Sequence, residues 1–270
     1  MSDTGGRLLD VQNLTLQLDG VKGKPVLVNQ LSFGLKAGET LGLVGESGSG
    51  KTLSALALLG LLPNGILRTG GSIKFAGKTV SEKGNVDFRQ LRGRSISMIF
   101  QHPKAALNPT FTIATQFKDI IKAARKMPAA AIAKHMMTLL DRVGFEDTQR
   151  ILSLYPHQLS GGMAQRVMIA MALSSQPQLI IGDEPTSSLD VVTEIAICEL
   201  IEELQREYQF ALLLISHDLR LIARLAKEAL VIRGGNFIEQ GPTAQLLQSP
   251  AHPYTKQLAK SVFRLQNNYE

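Results

Sequence analysis

Apolar and polar positions alternate from Leu8 to Leu18, with Leu8, Val11, Leu14, Leu16 and Leu18 set among polar neighbours, as in a half-buried strand. A turn is predicted over Asp19 to Pro25, and Val26 to Phe33 resumes an extended pattern. The first third therefore reads as antiparallel, strand-rich and hairpin-like. Thr40 to Val44 reads as a short buried strand, and the apolar run Leu53 to Leu62 as a helix. Gly71 to Phe75 and Ile96 to Phe100 read as further strands. From Thr112 to Ser175 the period becomes helical: Phe117, Ile120, Ile121 and Ala124 recur at three and four, and Met136, Leu139, Leu140 and Val143 do so again. Continuous apolar strands return at Leu179 to Ile181 and at Ala211 to Ile215, separated by one long helix over Val191 to Tyr208. Short strands follow at Ala229 to Ile232 and Phe237 to Glu239, around a Gly234-Gly235-Asn236 turn. The order predicts an α/β core interrupted by a helical insertion.

Composition adds mostly exclusions. The 270 residues, 44% of them hydrophobic, suffice for a sizeable core. A formal charge of +6 permits an anionic partner, but the basic residues are scattered. Lys122, Arg125 and Lys126 are the densest cluster and read as a solvated helix face. A single cysteine, Cys198, excludes a disulfide framework or a Cys-rich metal site and reads as a core thiol. The five histidines lack metal-ligand spacing. Met1 to Gly6 shows no secretory signal, and Leu53 to Leu62 is far short of a membrane span. A soluble, cytosolic chain is expected.

The chemistry begins after the Thr40–Val44 strand. Gly45-Glu46-Ser47-Gly48-Ser49-Gly50-Lys51-Thr52 fits G-x-x-x-x-G-K-[S/T] at every fixed position, between a strand and a helix. Glycines let the backbone wrap a polyphosphate with successive N–H groups turned inward, and the helix N-terminus adds partial positive charge. Lys51 is placed to reach the β- and γ-phosphates and the Thr52 hydroxyl to ligate Mg2+. The loop predicts binding of a nucleoside triphosphate.

A phosphate loop alone leaves kinases, GTPases, helicases and transporters open. Leu159-Ser160-Gly161-Gly162-Met163-Ala164-Gln165-Arg166 leads into an apolar helix, and a serine with two glycines at a helix start offers a second anion site. The strand Leu179 to Ile181 runs into Gly182-Asp183-Glu184-Pro185-Thr186, with two adjacent acids that would be costly at a buried strand end without a role. Asp183 is placed to hold Mg2+ through water, and Glu184 to polarise the attacking water as general base. Gln101 directly follows the Ile96–Phe100 strand, and His217 follows Leu213-Leu214-Ile215-Ser216.

In this order the motifs resemble those of ATP-binding cassette (ABC) ATPases. Ser160-Gly161-Gly162-Met163 resembles the LSGGQ signature with Met in place of Gln, and Ser187-Ser188-Leu189-Asp190 resembles the D-loop. Gly182 stands where the family more often has Ala. The resemblance implies that Gln101 is the Q-loop residue touching Mg2+ or the attacking water, and that His217 senses the γ-phosphate. It implies an α/β, P-loop NTPase (RecA-like) core with an N-terminal antiparallel β subdomain and an inserted α-helical subdomain. A single ABC ATPase domain over 1–270 would divide into a core of 1–103 and 177–240, a helical subdomain of 104–176 and a tail of 241–270. The family's adenine-stacking aromatic has no counterpart between Leu8 and Gln30; its place falls near Lys24 to Val26, where an aliphatic contact would serve.

The resemblance also implies partners. Two such domains face head to tail, so the chain pairs with a second ABC ATPase subunit, identical or similar, each ATP lying between one phosphate loop and the other's Ser160–Gly162 segment. With no membrane span, it would sit on the cytoplasmic face of the membrane beside two transmembrane permease subunits, with an extracytoplasmic solute-binding protein in the complex and no nucleic acid. Coiled-coil DNA-acting relatives and two-cassette translation factors do not match, and Glu184 argues against a switch without hydrolysis. Leu154 to Met163 and Ser249-Pro250-Ala251-His252-Pro253-Tyr254-Thr255 resemble the peptide/nickel importer branch. Peptide-transporting members commonly extend into a cysteine-containing segment that has no equivalent before Glu270. The expectation therefore leans to nickel or metal-chelate import, with di-/oligopeptide import as the alternative.

Overall fold

The computed structural model describes residues 6–20, 23–80 and 87–266, with side chains described to residue 260. Val21 and Lys22 of the expected turn, and the first five residues read above for a signal sequence, lie outside them. Two compact units divide the chain: Met1–Gln90 with Ala211–Glu270, and Leu91–Phe210.

In the first unit, β1 (Arg7–Leu18) and β2 (Val26–Lys36) form the antiparallel hairpin that the alternation predicts. β3 (Thr40–Val44) leads into α1 (Lys51–Leu59), then β4 (Ile66–Phe75), β5 (Lys78–Thr79) and the short α2 (Phe88–Leu91). The helix stops three residues before the predicted Leu62, because Gly60 adopts φ 62° and its N–H turns back to Ala57 and Leu56. β4 starts earlier than Gly71. At Gly71 the backbone takes φ 84°, and an added Cβ would lie 2.5 Å from Asn13 backbone; the glycine lets β4 run on past a bulge whose extra residue lies on β1, between Gln12 and Thr15.

The second unit opens with β6 (Ile96–Ile99) and α3 (Pro103–Ala106). α4 (Ile113–Ala124) and α5 (Ala129–Arg142) bury the stripes Ile113, Phe117, Ile121 and Ile132, Met136, Leu139, Leu140, spacings set by the 3.6-residue period. α6 (Thr148–Ser153) precedes α7 (Gly161–Leu173), then β7 (Leu179–Asp183) and α8 (Val191–Tyr208). β6 and β7 pair in parallel.

The chain returns to the first unit with β8 (Ala211–Ser216), α9 (Leu219–Leu225), β9 (Glu228–Arg233), β10 (Asn236–Pro242), α10 (Thr243–Gln248) and α11 (Pro253–Gln266). Strand order there is β5-β4-β1-β2-β10-β9-β3-β8. β3 lies parallel between β8 and β9, and every residue of β8 is buried, which is why that strand reads as an unbroken apolar run. Cys198 is buried on α8, as its apolar surroundings predict.

Candidate active site

In the first unit Val44 pairs with Ser216, so Gly45 and His217 leave their parallel strands side by side at the same sheet edge. Carboxyl ends of parallel strands are where open α/β sheets place ligands. Gly45 has no room for a side chain: a Cβ would lie 2.2 Å from the Ile232 carbonyl. Gly50 is the N-cap of α1 at φ 99° and, having no side chain, makes no side-chain cap bond. Gly235 N–H donates to Ser49 O at 3.0 Å, fixing the loop from below. The buried Lys51 bends back, its Nζ donating to Gly45 O at 2.7 Å and Glu46 O at 2.9 Å. Glu46, Ser47, Gly48 and Thr52 face outward. Among the described residues the buried Ser49 Oγ has no hydrogen-bond partner. A glycine-capped helix start, a buried ammonium and a buried hydroxyl suit a polyphosphate.

His217 is exposed, and the next residue anchors it: Asp218 caps α9 by accepting from Arg220 N–H at 2.8 Å, while Asp218 N–H donates to Ser216 Oγ at 2.9 Å. Burial would raise the Asp218 carboxyl, but hydrogen bonds and charge from Arg220, with the nearby His217, hold it below the usual carboxylate range.

In the second unit Ile99 pairs with Gly182, which brings Gln101 and the Asp183-Glu184 pair to one end of the β6–β7 ladder. β6 ends at Ile99 rather than Phe100, whose N–H turns away to Met168 Sδ, so Gln101 stands one residue beyond the strand's exit. Asp183 and Glu184 are both buried. Glu184 occupies the left-handed region at φ 49°, which residues with a Cβ seldom adopt. Among the described residues no group of three or more His, Cys, Asp or Glu could hold a metal ion. Mg2+ is commonly bound through only one or two carboxylates together with water and substrate phosphate oxygens.

Ser160 is the N-cap of α7, its hydroxyl accepting from Met163 N–H at 3.1 Å. Gly161 is exposed at the helix start, and Gly162 has no space for a methyl, since a Cβ would sit 2.9 Å from Thr193 Cγ2. The neighbouring Asp190 caps α8 through Thr193 N–H (3.0 Å) and hydroxyl (2.7 Å), bonds that lower its pKa. The two helix starts thus pack together within this unit. Near the expected adenine position, Val26 is 45% exposed, an aliphatic surface open to contact.

Sequence reasoning missed Tyr254. Its hydroxyl accepts the Glu46 N–H at 3.0 Å across 208 residues. The His252-Pro253-Tyr254-Thr255 motif was visible, but nothing local reports where so distant a residue docks. Burial pushes the Tyr254 hydroxyl up from its ordinary value, which keeps it protonated and uncharged beside the loop.

The family model described as "ABC transporter" matches residues 28–187, and that for the "Oligopeptide/dipeptide transporter, C-terminal region" matches residues 238–270. The oligopeptide transport ATP-binding protein OppD of Escherichia coli is 41% identical over 259 residues, covering 96% of this chain and 76% of that protein. The dipeptide transport ATP-binding protein DppD of Bacillus subtilis is 41% identical over 263 residues, covering 97% and 78%. The ABC transporter ATP-binding protein YejF of E. coli is 42% identical over 255 residues, and the chain spans only 48% of its length. Among solved structures, cbiO1 of Clostridium perfringens superposes with TM-score 0.76 at 24% identity over 97% of this chain and 99% of its own. The cassette MJ0796, solved as a dimer bound to ADP and Pi, gives 0.75 at 23%, covering 87% of this chain and 98% of that one, a likeness of fold alone. The α/β cassette fold expected from the motifs is therefore the observed one. The chain belongs to the ABC transporter family and carries that family's ATPase cassette.

Proposed function

We propose that this chain hydrolyses ATP to power the import of di- and oligopeptides through separate membrane permeases. One observation carries the substrate class: residues 238–270 match the oligopeptide/dipeptide C-terminal region, and the relatives OppD and DppD are named for peptide transport. The sequence reading leaned to nickel or a metal chelate. That lean rested on a missing cysteine segment near Glu270, which carries no cargo chemistry, and no relative named above is a nickel transporter.

The geometry within each unit supports the following assignment of roles. Lys51 and the N–H groups at the α1 start take the β- and γ-phosphate charge, and Thr52, with Gln101 and Asp183, would ligate Mg2+. When bound, that cation neutralises charge on the leaving phosphates. Glu184 accepts a proton from the attacking water, and His217 contacts the γ-phosphate. Ser160, Gly161 and Gly162 present an exposed helix start to the nucleotide of a second ATPase subunit, identical or similar. Two permease subunits and an extracytoplasmic solute-binding protein complete the importer, with this chain on the cytoplasmic face. Support for a separate permease is that no described helix is long and apolar enough to cross a membrane.

The test is nutritional. An amino-acid auxotroph lacking this chain should fail to grow on a peptide carrying that amino acid, yet grow on the free amino acid. Equal growth on both would remove the peptide reading.

A further inference from the structure

The peptide group between Gly45 and Glu46 is gripped at both ends. Its carbonyl oxygen accepts from Lys51 Nζ at 2.7 Å, and its N–H donates to Tyr254 Oη at 3.0 Å. Hydrogen bonds in such a chain polarise one another, and each fixes the plane of the amide that the other uses. Lys51 is therefore aimed by a peptide whose orientation is set from the C-terminal tail.

The tail is built to hold that tyrosine. Glu239 on β10 accepts from Ala251 N–H at 2.8 Å and His252 N–H at 3.1 Å, and His252 Nδ1 accepts from Tyr254 N–H at 3.1 Å. The Tyr254 ring is buried, with Arg233 Cζ 4.7 Å from its centroid. Arg233 ends β9 directly before Gly234-Gly235, the turn whose N–H holds Ser49 O. One strand end thus supports the phosphate loop at Ser49 and covers the tyrosine that supports it at Glu46.

The geometry points to Tyr254 as a positioning residue for phosphate binding, acting through the Gly45–Glu46 peptide on Lys51. The inference rests on the reading of Lys51 as a phosphate ligand. It gives the C-terminal segment a task in the ATPase cycle: a docked tail keeps the phosphate loop in its binding shape. Packing alone would call for any large apolar side chain at 254. The placement of the hydroxyl oxygen on a loop N–H calls for tyrosine.

Tyr254→Phe keeps the ring and its contact with Arg233 and removes only the acceptor. Affinities of the full-length protein for ATP, ADP and AMP, by competition against a fluorescent nucleotide, are compared with its nucleotide-free melting temperature. One lost hydrogen bond predicts ATP affinity about three- to tenfold weaker. The loss should grow from AMP to ADP to ATP, because Lys51 acts on the outer phosphates. Melting should fall by no more than about 4 °C. ATP affinity within twofold of wild type overturns the proposal, and so does an equal loss for all three nucleotides, which would mean general loosening. Lys51→Ala, measured in parallel, separates the two readings. Wild-type ATP affinity in that variant would overturn the phosphate role of Lys51 itself, whatever Tyr254→Phe does.

Discussion

Ser187 donates twice to the carbonyl oxygen of Glu184, from its N–H at 3.3 Å and its hydroxyl at 3.2 Å. Glu184 sits at φ 49°, a conformation that costs a residue with a Cβ about 1–3 kcal/mol and persists where the surroundings impose it. Ser187 is part of what imposes it. The strain lies in the backbone, so Glu184→Gln leaves the turn intact and removes only the proton acceptor. Phosphate release should fall roughly 100- to 10,000-fold while ATP affinity stays near wild type. Steady turnover at the wild-type rate would take Glu184 out of the mechanism.

Gly42, in the middle of β3, has no room beside it: an added Cβ would lie 2.2 Å from Ile222 Cγ2 and 3.2 Å from Ala229 Cβ. Ile222 is β-branched and buried, so it cannot swing aside. Gly42→Ala should destabilise the protein by about 1–3 kcal/mol in urea unfolding, as overpacking does. A midpoint matching wild type would show that α9 yields more easily than its packing implies.

Gly161 differs from its neighbour Gly162. A Cβ there would meet only Leu189 Cδ2, at an ordinary 3.5 Å, whereas at Gly162 it would strike Thr193. Gly161→Asp should therefore fold and bind ATP as a monomer, yet lose turnover by at least about tenfold, since on the proposed reading a carboxylate there would repel the phosphate of a nucleotide bound by a second ATPase subunit. Melting curves and ATP titration establish the first part, and steady-state hydrolysis the second. Undiminished hydrolysis would place the Ser160–Gly162 segment outside the composite site.

The tail's anchor titrates. Burial would raise the Glu239 carboxyl, but hydrogen bonds from Thr255, Ala251 and His252, together with the charge of His252, hold it below its ordinary 4.5. A group depressed in the folded state contributes stability that is complete above its unfolded pKa and is lost as pH falls through the folded value. Thermal melts of wild type and Glu239→Gln should differ by a constant margin above about pH 5.5, and the margin should shrink below pH 4.5. A margin unchanged down to pH 3 would mean that the carboxylate charge does not anchor the tail.

Much of this was legible in the chain because it is local. β3 and α8 fall on the predicted Thr40–Val44 and Val191–Tyr208, one continuously apolar and the other periodic between an Asp190 cap and a left-handed Gln209. The phosphate loop is legible for the same reason: its function needs glycines at fixed spacing within eight residues. The errors have local causes too. Gly60 ends α1 where hydrophobicity alone would continue it, and Gly71, which suggested a strand start, lies within β4 opposite a bulge on β1. What sequence could not supply is long-range: Tyr254 meets Glu46 only because β10, α10 and α11 return the tail to the first unit. The strained φ of Glu184 is likewise set by its surroundings rather than by its residue type. The lean towards nickel rested on the chain's end, a feature with no physical link to cargo, and the names of the relatives favour the peptide alternative.

The most direct test of the account is uptake. Cells lacking this chain would be supplied with a radiolabelled tripeptide and, separately, with radioactive nickel, after complementation with wild type or Glu184→Gln. The account predicts that tripeptide uptake is lost on deletion and restored only by the wild type, with nickel uptake unchanged throughout. Loss of nickel uptake with tripeptide uptake intact would contradict it.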